Sequence, residues 1–140
     1  VYKNILVTLD GTATDRAIIE HIKRLAPLMD SRVALLHVAD GWAARMFGSD
    51  AVSAEVAEDT AYLEKVRSEF QSAGIAATVE LAFGEPGDQI IKRVEGKGCD
   101  LIAMTSHGHK LIGDILRGST IDKVRHETKV PLLVVRADTK

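Results

Sequence analysis

The sequence predicts an α/β fold: a five-stranded parallel sheet with helices on both faces. Three observations carry the prediction. Short apolar, β-branched runs alternate with longer stretches of helical periodicity along the whole chain. Several of those runs are continuously apolar rather than alternating, which is the pattern of a strand covered on both faces. Clusters of Gly, Pro, Asp and Thr mark the changes from one pattern to the next.

Asn4–Leu9 (NILVTL) is the first strand. Asp10-Gly11-Thr12-Ala13-Thr14 then makes a turn, with Thr14 the expected N-cap of a helix whose apolar stripe is Ile18, Ile22 and Leu25. Pro27 is expected to mark its frayed last turn. Arg32–Val38 (RVALLHV) is the second strand, and Ala39–Asp50 is the least patterned part of the chain. Val52, Val56, Leu63, Val66 and Phe70 form one stripe of a long helix that Gly74 closes. Thr78–Phe83 is the third strand, and Gly84-Glu85-Pro86-Gly87 the turn after it. Ile90, Ile91 and Val94 define a short helix ended by Gly96 and Gly98. Leu101–Met104 is the fourth strand. Gly118-Ser119-Thr120 opens a last amphipathic helix carrying Ile121 and Val124, and Pro131–Val135 (PLLVV) is the fifth strand.

A chain of 140 residues without repeats or linkers suits one domain, residues 1–140. With 46% hydrophobic and 27% charged residues and a formal net charge of −2, the composition argues against a dedicated nucleic-acid binder. Cys99 is the single cysteine, which excludes an internal disulfide framework and favours a reducing compartment. Val1-Tyr2-Lys3-Asn4 leads directly into a strand, and no apolar run approaches the roughly 18 residues of a membrane span. The expectation is a cytoplasmic protein with no membrane partner.

The densest chemistry lies between Leu101 and Arg136. The fourth strand runs into Thr105-Ser106-His107-Gly108-His109-Lys110, nine residues separate Gly108 from Gly118, and Gly118-Ser119 starts a helix. A strand ending in a glycine-containing loop beside a helix N-terminus has the parts of a phosphate site. Freed backbone N–H groups point at an anion, and the helix dipole favours negative charge there. The hydroxyls of Ser119 and Thr120 add donors.

This stretch resembles the C-terminal half of the universal stress protein family, whose nucleotide-binding members carry G-x-x-G, nine residues, then G-[S/T]. Gly108, the spacer, Gly118 and Ser119 match, and Thr105 stands where the pattern has its first Gly. The resemblance covers nearly the whole chain. It implies the strand order 3-2-1-4-5, with the Asp10 turn facing the Thr105–Gly108 loop across the switch point between the first and fourth strands. It further implies that Asp10 contacts the nucleoside, that the backbone at Val38 holds the adenine and that Thr8 lines the same pocket. Met104, Thr105, His107 and Gly108 would surround the ribose and first phosphates, with Gly118, Ser119 and Thr120 at the outer phosphates. The implied ligand is an adenine nucleotide, foremost ATP, with any Mg²⁺ or Mn²⁺ carried by its phosphates. The implied assembly is a homodimer through the Pro131–Val135 edge strand.

Plainer readings stand beside these. Asp10 can cap a turn, Gly108 can simply turn the chain, and Gly118-Ser119 can simply start a helix. Lys110 and Arg117 read as a solvated loop face, and His107-Gly108-His109 lacks a third partner for a zinc site. His37 reads as a packed residue and His126 as a charge late in the last helix. Trp42 and Phe47 suit either a cover for the pocket or a partner surface. Enzyme signatures are missing: no segment reads G-x-x-x-x-G-K-[S/T], no G-x-G-x-x-G follows a strand, and no nucleophile has an evident base. The expected function is regulatory nucleotide binding with at most slow hydrolysis or autophosphorylation. The alternative is a dimeric interaction module that binds no nucleotide.

Overall fold

The computed structural model describes residues 1–39, 49–106 and 118–137. Their element order is β1 (Asn4–Leu9), α1 (Asp15–Met29), β2 (Arg32–Ala39), α2 (Ser49–Ser72), β3 (Ala77–Phe83), α3 (Pro86–Lys97), β4 (Leu101–Ser106), α4 (Gly118–Glu127) and β5 (Leu132–Arg136). All neighbouring strand pairs are parallel, in the order β3-β2-β1-β4-β5. The fold class and strand order expected from the sequence are therefore those observed.

The central strands explain why their sequences are continuously apolar. In β1 one face (Ile5, Val7, Leu9) packs on α1 and α2 through Ile18, Ile19, Ile22, Leu63, Val66 and Phe70. The opposite face, at Leu6, joins Leu36, Ile102 and Met104 against Ile90 and Val94 of α3 and Val124 of α4. Two cores, one on each side of the sheet, leave no position in β1 for a solvated side chain after Asn4. The edge strands β3 and β5 are only half covered, and Phe83 and Val134 are exposed.

Local chemistry sets the element ends. Asp30 caps α1 in the left-handed region (φ 54°), donating its N–H to the carbonyls of Ala26 and Pro27, and Pro27 lies in the last turn of the helix, where it was expected. Glu85 caps α3, its carboxylate accepting from the Gly87 and Asp88 N–H groups at 3.0 and 2.9 Å, and Pro86 occupies the first turn, where no N–H is needed. Gly98, at φ 66°, closes that helix. Asp100 clasps the start of the sheet: its two oxygens accept from the Lys3 and Asn4 N–H groups, each at 2.9 Å.

Several boundaries differ from expectation, by one residue at the end of β2 and the start of β3 and more tellingly at three other places. β4 continues to Ser106, because Thr105 and Ser106 pair in register with Val135 and Arg136 of β5. α2 begins at Ser49, inside the stretch without visible pattern. β5 starts at Leu132 and includes Arg136, leaving Pro131 outside the strand with its carbonyl accepting the Ile102 N–H.

Candidate functional site

In a parallel sheet every crossover helix starts at the carboxyl ends of the strands. The turn after β1, the end of β4 and the N-terminus of α4 thus share one end of the sheet. β1 and β4 are direct neighbours, with Val7 opposite Ala103. The strand order reverses between them, which makes their carboxyl ends the switch point of the fold.

The expected site residues distribute as follows. Thr8 and Asp10 at the end of β1, Val38 at the end of β2, Met104 and Thr105 at the end of β4 and Thr120 in the first turn of α4 are all buried. Gly118 is the first residue of α4, and Ser119 is exposed. His107 and Gly108 lie outside the described residues, as do His109, Lys110, Arg117, Trp42 and Phe47. The Thr8 hydroxyl lies 3.5 Å from the Ala103 carbonyl, too long for a strong hydrogen bond. Val38 directs its side chain into the core with Leu36 and Ala82.

Thr105 replaces a glycine of the family pattern without projecting into solvent. Its side chain is 1% exposed and belongs, by strand alternation, to the sheet face of Leu101 and Ala103. Its hydroxyl oxygen is buried with no hydrogen-bond partner among the described residues. The added side chain is taken up by packing.

The Asp10 turn is built by residues that the sequence does not advertise. Thr14 occupies the N-cap position but makes no capping bond; its hydroxyl instead pairs with that of Thr12 at 2.6 Å. Asp15, fully buried at the start of α1, reaches back to the turn rather than capping the helix, whose first N–H groups, of Asp15 and Arg16, go to the Thr12 and Ala13 carbonyls. Its Oδ1 accepts from the Asp10 N–H at 2.8 Å and its Oδ2 from the Gly11 N–H at 2.9 Å. Tyr62 of α2 donates its hydroxyl to the same Oδ2 at 2.6 Å. Burial, then the bond to Asp15, pushes the Tyr62 phenol far above its ordinary pKa, so it stays a donor. His37 is packed, as expected, but also bonded: its Nδ1 lies 2.8 Å from the Leu9 carbonyl, which requires the proton on that nitrogen. Gly11 sits over the ring at φ 81°, where a Cβ would lie 3.4 Å from His37 Cε1. Glycine is needed there for its backbone.

Beside this turn a cavity of about 450 Å³ is lined by Gly11, Thr12, Arg16, Tyr62, Lys65 and Glu69. Glu69 accepts from Arg16 at 2.7 Å and from Lys23 at 2.9 Å. The Arg16 hydrogen bond above all, working against partial burial, holds its carboxyl at about 2. A second cavity, about 600 Å³, opens near the amino ends of the strands around Asn4, Arg32, Ala77 and Cys99. It is the larger of the two, and none of the expected site residues lines either cavity, although Gly11 and Thr12 beside Asp10 line the first. Convergent polar groups at the switch point outweigh volume as a mark of the site.

Residues 1–136 match the model of the universal stress protein family. The chain belongs to that family. Among curated relatives, universal stress protein MJ0577 of Methanocaldococcus jannaschii is 26% identical over 155 aligned residues, covering 97% of this chain and 96% of its own length. The solved structure of MJ0577 superposes with a TM-score of 0.82 at 29% identity, covering 99% of each chain. Two further universal stress proteins share the fold at lower identity. One, in complex with cAMP, has a TM-score of 0.70 at 17% identity and 98% coverage of both chains. The other, from Archaeoglobus fulgidus in complex with dAMP, has a TM-score of 0.69 at 16% identity, covering 96% of this chain and 98% of its own.

Proposed function

We propose that this universal stress protein binds an adenine nucleotide, foremost ATP, at the carboxyl ends of β1 and β4 and uses occupancy as a regulatory signal. The observation that carries the reading is the placing of a buried Asp10 beside the end of β4 at the switch point, at the end of the sheet where α4 also begins. Solved nucleotide complexes of two proteins with this fold support it.

In this reading Asp10, Thr8 and the backbone at Val38 take the nucleoside. A carboxylate suits ribose hydroxyls or a base amino group and repels phosphate, so Asp10 belongs at the nucleoside end. Met104, Thr105, His107 and Gly108 take the ribose and first phosphates. Gly118, Ser119 and Thr120 take the outer phosphates at the α4 N-terminus, where N–H donors and the helix dipole favour anions. Any Mg²⁺ or Mn²⁺ arrives on the phosphates. Turnover is limited to slow hydrolysis or autophosphorylation. The protein is a single cytoplasmic domain over residues 1–140 that pairs through the half-covered β5 edge, where Val134 is exposed.

Calorimetric titration with ATP·Mg²⁺, repeated on Gly118→Asp, tests the site. Saturable binding abolished by the added carboxylate is the expected result. Absence of binding to the unmodified protein at millimolar ATP would replace this reading with a dimeric interaction module. Light scattering tests the assembly, and a mass of 15.2 kDa at micromolar concentration would exclude the dimer.

A further inference from the structure

We infer that Asp15 and Tyr62 are a positioning pair that presets the Asp10–Gly11 turn for the nucleoside; the ligand in this inference rests on the nucleotide reading above. Three consecutive residues, Leu9, Asp10 and Gly11, each have a backbone group held by a side chain from outside the turn. His37 of β2 binds the Leu9 carbonyl, and Asp15 of α1 binds the Asp10 and Gly11 N–H groups. Tyr62 of α2, 47 residues further along the chain, fixes the Asp15 carboxylate in turn.

The geometry leaves the carboxylate little choice. Both oxygens are engaged and the residue has no exposed surface, so rotation of the Asp15 side chain would break at least one bond to the turn. With both N–H groups tied to α1, the direction in which Asp10 projects is fixed before any ligand arrives. A preset loop avoids the ordering cost that binding otherwise incurs. Tyr62 also lines the cavity beside the turn, next to Arg16 and Lys65. A shift of α2 would therefore be felt at Asp10 through one hydroxyl.

Tyr62→Phe removes that hydroxyl and keeps the ring. Calorimetry with ATP and with adenosine should show both weakened by the same factor, about tenfold, the equivalent of one hydrogen bond to a charged group. Unchanged affinity for both would overturn the inference, and so would weakening of ATP alone, because the effect would then lie away from the nucleoside end. Hydrogen exchange on the ligand-free protein supplies a readout independent of nucleotide. The Asp10 and Gly11 amides should exchange faster in Tyr62→Phe, again by about tenfold, beyond any change at the Phe70 amide in the core. Equal exchange at those two amides would overturn the positioning role. Faster exchange in a protein that binds no nucleotide would uphold it while refuting the nucleotide reading.

Discussion

Asp15→Asn is the substitution whose cost can be worked most directly from the structure. The amide keeps the shape of the carboxylate but offers one acceptor oxygen where two are in use. In either orientation the amide nitrogen faces a backbone N–H, of Asp10 or of Gly11. Leaving one buried donor unpaired costs about 1–3 kcal/mol, and losing the charge from the remaining bonds adds about 1 kcal/mol more. Neutralising a buried carboxylate returns part of this, because its desolvation is no longer needed. A net loss of about 2 kcal/mol follows, which for a chain of this size lowers Tm by about 7 °C. Tyr62→Phe alone should cost about 1.5 kcal/mol, as the loss of a hydrogen bond to a charged group. In the Asp15→Asn background, where any remaining bond is neutral, it should cost about 0.5 kcal/mol, giving a coupling of about 1 kcal/mol. Urea unfolding of the four proteins, with a common m-value, measures all three quantities. A loss below about 0.5 kcal/mol for Asp15→Asn, or strict additivity of the two changes, would refute the claim that this carboxylate organises the turn.

Phe70→Ala empties a fully buried position under α1 and the sheet and should cost about 3–5 kcal/mol in the same unfolding assay. Glu85→Ala removes both N-cap bonds of α3 and should cost about 1 kcal/mol, with the loss seen as faster exchange at the Gly87 and Asp88 amides. Glu69, held at about 2 by Arg16 and Lys23 against an ordinary value of 4.5, binds fewer protons folded than unfolded. Its contribution is therefore present above pH 4.5 and is lost as pH falls toward 2. With Arg16 half exposed the contribution is small, so the stability gap between the unmodified protein and Glu69→Gln should narrow across that window without closing the whole acid transition.

The alternation of elements was legible because burial on both faces forces β1, β2 and β4 to be apolar throughout, and few other environments demand that. The strand order came from the family resemblance, since hydrophobic pattern carries no information about which strands are neighbours. The start of α2 was not legible: around Ser49 the sequence lacks the regular stripe that begins further along the helix. The end of β4 was misplaced because Thr105 and Ser106 look like loop residues, and only pairing with β5 makes them strand. Asp10 was legible as a polar residue after a buried strand. Asp15 was not, because an acid in the first turn of a helix is ordinary by itself, and the partner that distinguishes it, Tyr62, lies on another helix. Thr14 was favoured as the cap on composition, yet the first N–H groups of α1 are met by the Thr12 and Ala13 carbonyls, and no side chain caps the helix.

The placement of β4 beside β1 also has a consequence for how the molecule assembles. β1, β2 and β3 pair between segments close in sequence, whereas the Asp100 clasp on Lys3 and Asn4 closes a loop of nearly a hundred residues. Closing so long a loop costs more chain entropy than the shorter β1–β2 and β2–β3 crossovers. The sheet thus joins a first half of the chain, which contains Asp10, to a second half, which contains Thr105 and α4. The crevice lies on the seam between them and comes into being only when that seam shuts. Anything that binds across it favours the finished fold over every partly assembled form, so occupancy is also a readout of completed folding.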